Sequence, residues 1–322
     1  MAANLSLSIL KKVAQVKIIR YSSSIAGFKP RRSLLYVPGD ENKKVQKASG
    51  LDADVVVLDC EDGVAQSKKA ECRDNICRLL PTLDFGRSES AVRINGIDTE
   101  YAAEDIKAVF SSETLPKALM VPKIEERDQL VWFKSKVNDL MKNHTNQSPL
   151  KVICQTETPI GMMNLRGILE ECLIPDKNLQ FEAFVFGSDD FLASIGGTRT
   201  ESAIELLFAR QNFIMHVKGF GLQAIDMVYI NFKDQEGLER QSSDGAKMGF
   251  TGKQIIHPAQ IDVVNKAFAP TEERIDYAER LVKAFDAHQL TGKGAFAFEG
   301  NMIDMPTVLQ AQNILNLAKA IA

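Results

Sequence analysis

The apolar positions of this chain fall into eight short runs rich in β-branched residues, separated by stretches with helical periodicity. The runs predict β-strands at 33–37, 54–59, 91–95, 118–123, 151–156, 183–187, 224–230 and 254–257. Between them, the spacing of apolar side chains predicts helices, most clearly at 100–110, 125–141 and 202–217. Strands that are apolar almost throughout belong to a parallel sheet whose two faces are both buried.

Eight strand–helix units favour an α/β fold in which the sheet closes into a (β/α)8 TIM barrel. An open, doubly wound sheet is the alternative. The Gly-rich dinucleotide fingerprint that such a sheet often carries after its first strand is missing here, and Pro38-Gly39-Asp40 takes its place. We therefore predict a TIM-barrel catalytic domain over residues 31–269.

The chain continues past the eighth predicted strand with residues that a barrel does not need. A charged helix is predicted at 271–288, followed by a Gly- and Phe-containing segment at 292–300, the sequence Met302-Ile-Asp-Met-Pro306 and a last helix. We interpret residues 270–322 as a C-terminal extension that serves as a lid or docks on a neighbouring subunit.

The amino-terminal segment differs in composition from the rest. Residues 1–32 contain no acidic residue but carry seven basic ones, Lys11, Lys12, Lys17, Arg20, Lys29, Arg31 and Arg32, together with clustered serines. A basic, amphipathic segment without acids is typical of a mitochondrial transit segment, which we predict at 1–30, with the matrix as the location. A disordered basic tail is the alternative.

Charge and cysteine usage exclude several classes of protein. The net charge is −3, so no basic field suggests a nucleic-acid partner. No run approaches the ~20 apolar residues of a membrane span, and no membrane partner is expected. The five cysteines and four histidines lack the spacing of a zinc site. We predict that Cys60, Cys72, Cys77, Cys154 and Cys172 are reduced thiols.

Charged residues collect where the predicted strands end, which is where active sites of such barrels lie. In chain order these strand ends carry Tyr36; Asp59, Glu61 and Asp62; Arg93 and Asn95; Lys123; Glu157; Asp189 and Asp190; Asp226, early in its strand; and His257. The carboxylates outnumber the cations, and buried charge must be paired or bound to a metal. Oxygen ligands alone favour Mg²⁺, with Mn²⁺ possible, over zinc.

Glu157 and Asp190 are the predicted metal ligands because they end neighbouring strands. Each has a structural alternative, as a cap or first-turn acid of the following helix. Glu61 and Asp62 are interpreted as holding metal-bound water or orienting Arg93, or as parts of a turn. The guanidinium of Arg93 suits a substrate carboxylate or an enolate oxygen, and a salt bridge to the nearby acids is compatible with that role.

Several motifs in consistent order over residues 31–320 resemble the citrate lyase β-subunit and malyl-CoA lyase (HpcH/HpaI aldolase) family. They are Arg32-Ser-Leu-Leu-Tyr-Val-Pro-Gly39, Leu58-Asp-Cys-Glu-Asp-Gly63, Val92-Arg-Ile-Asn95, Glu157-Thr-Pro, Gly187-Ser-Asp-Asp190, Gly252-Lys-Gln-Ile-Ile-His-Pro258 and Met302-Ile-Asp-Met-Pro306. The resemblance implies a Mg²⁺-dependent lyase that splits (3S)-citramalyl-CoA into acetyl-CoA and pyruvate. Malate synthase, β-methylmalate synthase and thioesterase side activities are also implied, as is assembly into homotrimers or multiples of them.

The resemblance also implies roles for individual residues. Mg²⁺ would be held by Glu157 and Asp190, and the CoA thioester and its 2-oxoacid would contact Tyr36, Lys43, Lys47, Arg93, Ile256 and His257. Asp304 would be the acid/base residue and would reach the barrel of a neighbouring subunit; by itself its position favours a helix cap. Lys43 and Lys47 lie one helical turn apart and suit CoA phosphates, or form a solvated face. His257 by itself is more simply a packed residue lining the pocket.

Two other functions fit the same residues. One is a malyl-CoA or citryl lyase-type aldolase of the same fold, acting on a free acid or on a carrier-bound acyl group. The other is a barrel that has lost catalysis and serves as a scaffold. The dense strand-end charge argues against the scaffold, because mutually repelling carboxylates are costly to keep without a cation.

Overall fold

The computed structural model describes residues 28–142, 148–289 and 296–321, in which eight parallel strands close into a barrel. The barrel order follows the chain, and β1 pairs with both β2 and β8. The strands are β1 (Ser33–Pro38), β2 (Val55–Asp59), β3 (Glu89–Arg93), β4 (Ala118–Val121), β5 (Leu150–Thr156), β6 (Leu179–Phe186), β7 (Gln223–Asp226) and β8 (Gly252–Ile255). The predicted TIM-barrel fold is confirmed, and the open sheet is not formed.

Helices follow the strands and cover the outside of the barrel. Those of the barrel are α1 (Asn42–Ser49), α2 (Lys69–Leu79), α3 (Tyr101–Ser111), α4 (Arg127–Met141), α5 (Pro159–Cys172), α6 (Ser188–Ile195), α7 (Leu207–Gly219), α8 (Gln235–Met248) and α9 (Ile261–Ala267). Local sequence fixes some of their starts. Thr158 caps α5 by accepting a hydrogen bond from Gly161, and Pro159 occupies the first turn, where its missing N–H costs nothing.

Alternation along the strands divides the apolar residues between two cores. Side chains that point into the barrel, such as Leu34, Val57, Ile153 and Val185, form an inner core. Their neighbours along each strand point outward and pack with the helices in a larger outer core. Above the inner core, at the carboxyl ends of the strands, the inward positions become polar, and the candidate site therefore lies at that end.

The strands agree with the sequence prediction in number and order, and they differ in length. β6 begins four residues before the predicted 183, and β7 ends at Asp226, although the apolar run continues to residue 230. The predicted helix at 202–217 begins as a 3₁₀ turn at Ile204–Leu206 and becomes α-helical at Leu207. The predicted transit segment lies almost wholly outside the described residues.

The C-terminal residues form a small unit with its own core. α10 (Glu272–Gln289) packs on α11 (Met305–Ile321), with the hairpin of β9 (Phe296–Phe298) and β10 (Asn301–Ile303) beside them. Ala278, Leu281, Phe296 and Ala311 are the buried centre. Glu299 and Gly300 both have positive φ, as a two-residue hairpin turn requires. Among the described residues, no helix has the length and apolar character to cross a bilayer.

Candidate active site

A cavity of about 720 Å³ opens at the carboxyl ends of the barrel strands. Tyr36 and Val37 of β1, Asp59 and Arg93 at the ends of β2 and β3, and residues of α1 and of the loops after β6, β7 and β8 line it. Active sites of this fold lie at that face because loops from all eight strands converge there. The cavity is large enough for a drug-sized ligand.

Glu157 follows β5 directly and is almost fully buried, with 1% of its surface exposed. The backbone N–H of Lys123 donates to its Oε1 (2.9 Å), and the amide of Gln155 donates to Oε2. Gly187, at the end of β6, leaves the space for this side chain, because a Cβ there would lie 2.5 Å from Oε2. The Glu157 carboxylate is therefore held in one orientation.

Asp190 lies in the first turn of α6 and shares a side-chain hydrogen bond with Glu157. Burial, followed by the negative charges of Glu61 and Asp190, raises the pKa of Glu157 to about 8. Two carboxyl groups so close are stable only when a proton or a cation lies between them. The structure therefore brings the two predicted metal ligands together, Glu157 directly after β5 and Asp190 in the first turn of α6.

The pair fits Mg²⁺ better than a metal held by protein ligands alone. Among residues 28–142, 148–289 and 296–321, no group of three or more His, Cys, Asp or Glu side chains has metal-binding geometry. Mg²⁺ commonly takes one or two carboxylates and completes its octahedron with water and substrate oxygens. A buried carboxylate whose two oxygens are fixed by N–H donors, beside a second carboxylate, is a donor set of that kind.

Arg93 lies above the inner core and is held on three sides. Its Nε and Nη2 donate to the two oxygens of Asp59 (2.7 Å each), its Nη1 lies 2.8 Å from Glu61, and its guanidinium stacks on the ring of Tyr36 at 4.8 Å from the centroid. Burial lowers the pKa of Arg93 and the charges of Asp59 and Glu61 more than offset it, so Arg93 stays charged. The salt bridge to the nearby acids that the sequence allowed is formed, and Asp59 occupies the Nε and Nη2 donors of Arg93.

The ring of Tyr36 is the surface on which the Arg93 guanidinium stacks. Its hydroxyl donates to the sulfur of Met120 (3.3 Å), and burial raises the pKa of the phenol, so it stays neutral at physiological pH. Tyr36 lines the cavity.

Lys123 is the second cation of the site, beside Arg93. The sequence placed it at a strand end without indicating a role for it. It has a left-handed backbone (φ 51°), which turns its N–H toward Glu157 while its side chain reaches the other way. The ammonium donates to Glu61 (2.6 Å) and to Asp62 (3.1 Å). The expectation that Glu61 orients Arg93 agrees with this geometry, and the structure adds that Glu61 is shared with Lys123.

Helix α1 brings lysines to the cavity rim. Lys47 lines the cavity, as expected, whereas Lys43 is exposed and is not among the lining residues; Lys44 takes that place. Lys44 also pairs with Glu41 (2.8 Å). Neighbouring residues on a helix point in directions ~100° apart, so the spacing of Lys43 and Lys47 alone does not tell which lysines of α1 face the cavity.

The loop after β8 forms another part of the rim. Ile256 lines the cavity and is 45% exposed, while His257 stacks on Phe232 at 4.3 Å between ring centroids. The Nδ1 of His257 accepts a hydrogen bond from the N–H of Ala259 (3.1 Å). The packed, pocket-lining interpretation of His257 fits these contacts.

Some strand-end residues are directed away from the cavity. Asn95 donates to Asp105 of α3, and Asp226 is fully buried behind the barrel, where it binds Arg210 (2.8 and 3.0 Å) and Lys253 (3.2 Å). Asp226 belongs to the outward set of β7 because Ile225 points inward.

Asp189, in contrast, lines the cavity and pairs with Arg199 (2.8 Å).

Asp304 lies at the start of α11 in the C-terminal unit and is exposed. Its Oδ1 accepts from the N–H (3.1 Å) and the hydroxyl (2.7 Å) of Thr307, and these bonds lower the pKa of the carboxyl. Within one chain Asp304 is not among the residues that line the cavity, and it caps a helix, as its position alone suggested.

Sequence reasoning missed Asp59, Gln155 and Gly187 as parts of the site. Asp59 was noted only as one of the strand-end charges. The sequence feature that could have indicated Asp59 is the glycine four residues later, because a Cβ at Gly63 would lie 2.6 Å from Oδ2 of Asp59. Gln155 lies two residues before Glu157 on the same inward face, which period-two alternation reveals. Gly187 directly precedes α6, whose first turn carries Asp190.

Comparisons with known proteins show which family the chain belongs to. A family model described as HpcH/HpaI aldolase/citrate lyase matches residues 32–258, and one described as a C–C bond lyase of the TIM-barrel fold matches residues 202–322. The mitochondrial citramalyl-CoA lyase of Homo sapiens is 47% identical over 302 residues, which are 93% of this chain and 89% of that protein.

Two further similarities extend the comparison. A (3S)-malyl-CoA thioesterase of Cereibacter sphaeroides is 31% identical over 293 residues, 91% of this chain and 96% of that protein. The crystal structure of the protein CitE from Mycobacterium tuberculosis, in complex with magnesium, acetoacetate and coenzyme A, has a TM-score of 0.69 and 30% identity. It covers 91% of this chain and 99% of that chain.

Proposed function

Because the chain belongs to the HpcH/HpaI aldolase/citrate lyase family and is a lyase of that family, we propose that it cleaves (3S)-citramalyl-CoA to acetyl-CoA and pyruvate. The observation that carries the proposal is the facing carboxyl pair of Glu157 and Asp190 beside the fixed guanidinium of Arg93. Identity of 47% to a citramalyl-CoA lyase over most of both chains supports the substrate.

Glu157 and Asp190 would hold Mg²⁺, with Mn²⁺ as a substitute of the same ligand preference. When bound, the ion supplies Lewis acidity toward the oxygens of the 2-oxoacid half of the substrate. Magnesium in the CitE complex supports this choice of metal. Lys123 and Gln155 fix the Glu157 carboxylate through their N–H groups and so keep it oriented before a ligand enters.

Arg93 would stabilise the negative charge that develops on the thioester oxygen as the carbon–carbon bond breaks. Asp59 and Glu61 fix its position, so no side-chain motion is needed when the charge appears. In the reaction, the bond between the carbinol carbon and the methylene carbon breaks. The hydroxyl loses its proton, and the methylene carbon, now the enolate carbon of acetyl-CoA, gains one.

The cavity rim would bind the rest of the thioester. Lys47 and Lys43 of α1, with Lys44 between them in the chain, would meet the CoA phosphates, while Tyr36, Ile256 and His257 would border the acyl group. The coenzyme A in the CitE complex supports a CoA site in a barrel of this kind. Synthase and thioesterase side reactions follow from the same enolate and thioester chemistry, and similarity to a malyl-CoA thioesterase supports the second.

Asp304 of a neighbouring subunit would supply the proton to the enolate carbon, which requires self-association as a homotrimer or a multiple of it. Two surfaces support such an assembly. Met302 and Met305, on either side of Asp304, are 74% and 49% exposed. On the barrel, Ile204, Phe208 and Met215 are 64–79% exposed on and beside α7, an apolar surface typical of protein contacts.

The domain organisation proposed with this function is a transit segment at 1–30, a catalytic barrel at 31–269 and the docking extension at 270–322. Similarity to a mitochondrial protein supports a mitochondrial location, and we propose the matrix.

The experiment that tests the function is product analysis with citramalyl-CoA, malyl-CoA and citryl-CoA side by side, with and without Mg²⁺. We expect pyruvate and acetyl-CoA from citramalyl-CoA, in amounts that depend on Mg²⁺. Faster cleavage of malyl-CoA or citryl-CoA would favour the aldolase alternative. Free citramalate is assayed beside the thioesters, and its turnover would contradict a site that requires CoA. Activity after exhaustive chelation would refute the metal.

A further inference from the structure

The turn after β4 places one lysine between two parts of the candidate site. The backbone N–H of Lys123 binds Oε1 of Glu157, and its ammonium binds Oε1 of Glu61 (2.6 Å). Both contacts depend on the left-handed φ of 51°, a conformation that lysine rarely adopts and that costs energy. Such strain persists only where the surrounding contacts hold it.

Glu61 is the link between this lysine and the arginine of the site. One of its oxygens meets Lys123, and the other lies 2.8 Å from Nη1 of Arg93, while only 4% of the residue is exposed. Glu61 therefore accepts a hydrogen bond from Lys123 at one oxygen, while its other oxygen is in ion-pair contact with Arg93 and accepts no hydrogen bond in the structure. Removing one cation leaves its full charge to the other and to the neighbouring Glu157.

We infer that Lys123 is a positioning residue that acts through Glu61. It keeps Glu61 from binding Arg93 with both oxygens and offsets the negative charge that Glu61 adds beside the Glu157 carboxylate. This inference rests on the proposed function, in which Arg93 must keep donors available for the thioester oxygen. Lys123 is also near Asp62, which pairs with the same ammonium (3.1 Å) at the exposed edge of the cavity.

The first test uses Mg²⁺ alone as the probe, by calorimetry at pH 8. Lys123→Met removes the charge and keeps the aliphatic length, and Lys123→Gly removes the charge while suiting the positive φ, so one of the two is expected to fold stably. Loss of a cation near a divalent ion should tighten Mg²⁺ binding, by roughly threefold to tenfold for partly screened charges. A lysine that only packs the turn predicts weaker binding when it is removed.

The second test asks whether the effect passes through Glu61. Glu61→Gln should weaken Mg²⁺ binding. Lys123→Met should tighten it less in the Glu61→Gln background than in the wild type, because only the direct repulsion between the ammonium and the ion is then removed. With citramalyl-CoA as substrate, Lys123→Met should lower kcat at least tenfold, whereas Lys123→Arg should keep most of the wild-type kcat. The variant that combines Lys123→Met with Glu61→Gln should be no slower than Glu61→Gln alone. Lys142→Met is the control, because it removes an exposed lysine that is paired with Asp139 and is not among the residues that line the cavity.

Unchanged or weaker Mg²⁺ binding in both Lys123 variants overturns the inference, as do kinetic losses that multiply in the double variant. The two hypotheses fail separately. If the wild-type protein binds Mg²⁺ and cleaves no CoA thioester, the proposed function is wrong, and the Mg²⁺ affinities still decide the role of Lys123.

Discussion

Gly187→Ala is the most direct perturbation of the candidate metal site, because it adds one methyl group and changes no charge. Gly187 has φ −86° and ψ 96°, a conformation open to any residue, so the added cost is steric. The new Cβ would lie 2.5 Å from Oε2 of Glu157 and 3.0 Å from Nε2 of Gln155, with the Cβ of Glu157 as its closest neighbour. The carboxylate of Glu157 must therefore move.

Two free energies determine the expected result, the cost of the overlap and the stabilisation that bound Mg²⁺ gives the wild-type protein. Overpacking of a tight site costs about 1–3 kcal/mol of stability. Mg²⁺ at a hundred times its Kd stabilises the wild-type protein by about 2.7 kcal/mol, or about 4 °C in apparent Tm for a chain of this size. Since Glu157 is displaced in the variant, we expect most of that metal-dependent gain to disappear.

The assay is thermal unfolding with and without Mg²⁺, followed by calorimetric titration of the metal. Gly167→Ala is the matched control, since Gly167 lies inside α5 with no atom within 4 Å of the added Cβ. That change should raise stability by about 0.5–1 kcal/mol and leave the Mg²⁺ response intact. A Gly187→Ala protein with the full wild-type response to Mg²⁺ would refute the assignment of Glu157.

Three further outcomes are expected. The pKa of Glu157 in the metal-free protein is about 8 against an ordinary value of 4.5, so between these pH values the folded carboxyl keeps a proton that the unfolded chain has released. The stability of the metal-free protein should therefore fall as pH rises from 4.5 to 8. Over the same range the affinity for Mg²⁺ should rise by up to tenfold per pH unit, because the ion replaces that proton. Glu157→Gln should abolish both slopes in pH-dependent melts and titrations. Asp304→Asn should retain CoA-thioester binding and lose at least a hundredfold in kcat, while mixing it with Glu157→Ala should recover activity, since some sites in a mixed oligomer would carry both intact residues; no recovery would contradict action between subunits. Asp226→Asn should cost about 3–5 kcal/mol in denaturant unfolding, because it leaves Arg210 and Lys253 buried with their shared carboxylate removed, and a loss under 1 kcal/mol would contradict that reasoning.

The fold was predictable because each strand is a near-continuous apolar run and the eight runs alternate with helical stretches. Strand ends were less predictable where apolar residues continue for another reason. In β7 the run extends to Ile230, but the ladder stops at Asp226, and Val228 lines the cavity instead of pairing with β8. Val228 is only half-buried and Ile230 is 50% exposed, so these apolar residues continue the pattern of a buried strand without being buried in the sheet.

The site was predictable as a place and less so as a set of contacts. Fold geometry puts Glu157, Asp190 and Arg93 at one end of the barrel, and charge balance suggests a cation among them. Arg93 binds Asp59 because the two residues are register partners on β2 and β3 and both point inward, whereas the position of Lys123 depends on a φ that its residue type disfavours. Neither the register between two strands nor that φ is given by composition.

Asp304 shows how a local and a functional interpretation of one residue can both hold. Its two bonds from Thr307 go to Oδ1, so the helix cap leaves Oδ2 outside that pair of contacts. The cap fixes the side chain at the tip of an exposed, methionine-flanked segment, and it lowers the pKa while the carboxyl is in water. Burial of the same carboxyl in the barrel of another subunit would raise the pKa again, because desolvation disfavours the charged form. An acid held in place by its own helix and adjusted in pKa by assembly would transfer a proton only in the oligomer, which is why mixed oligomers are the decisive test.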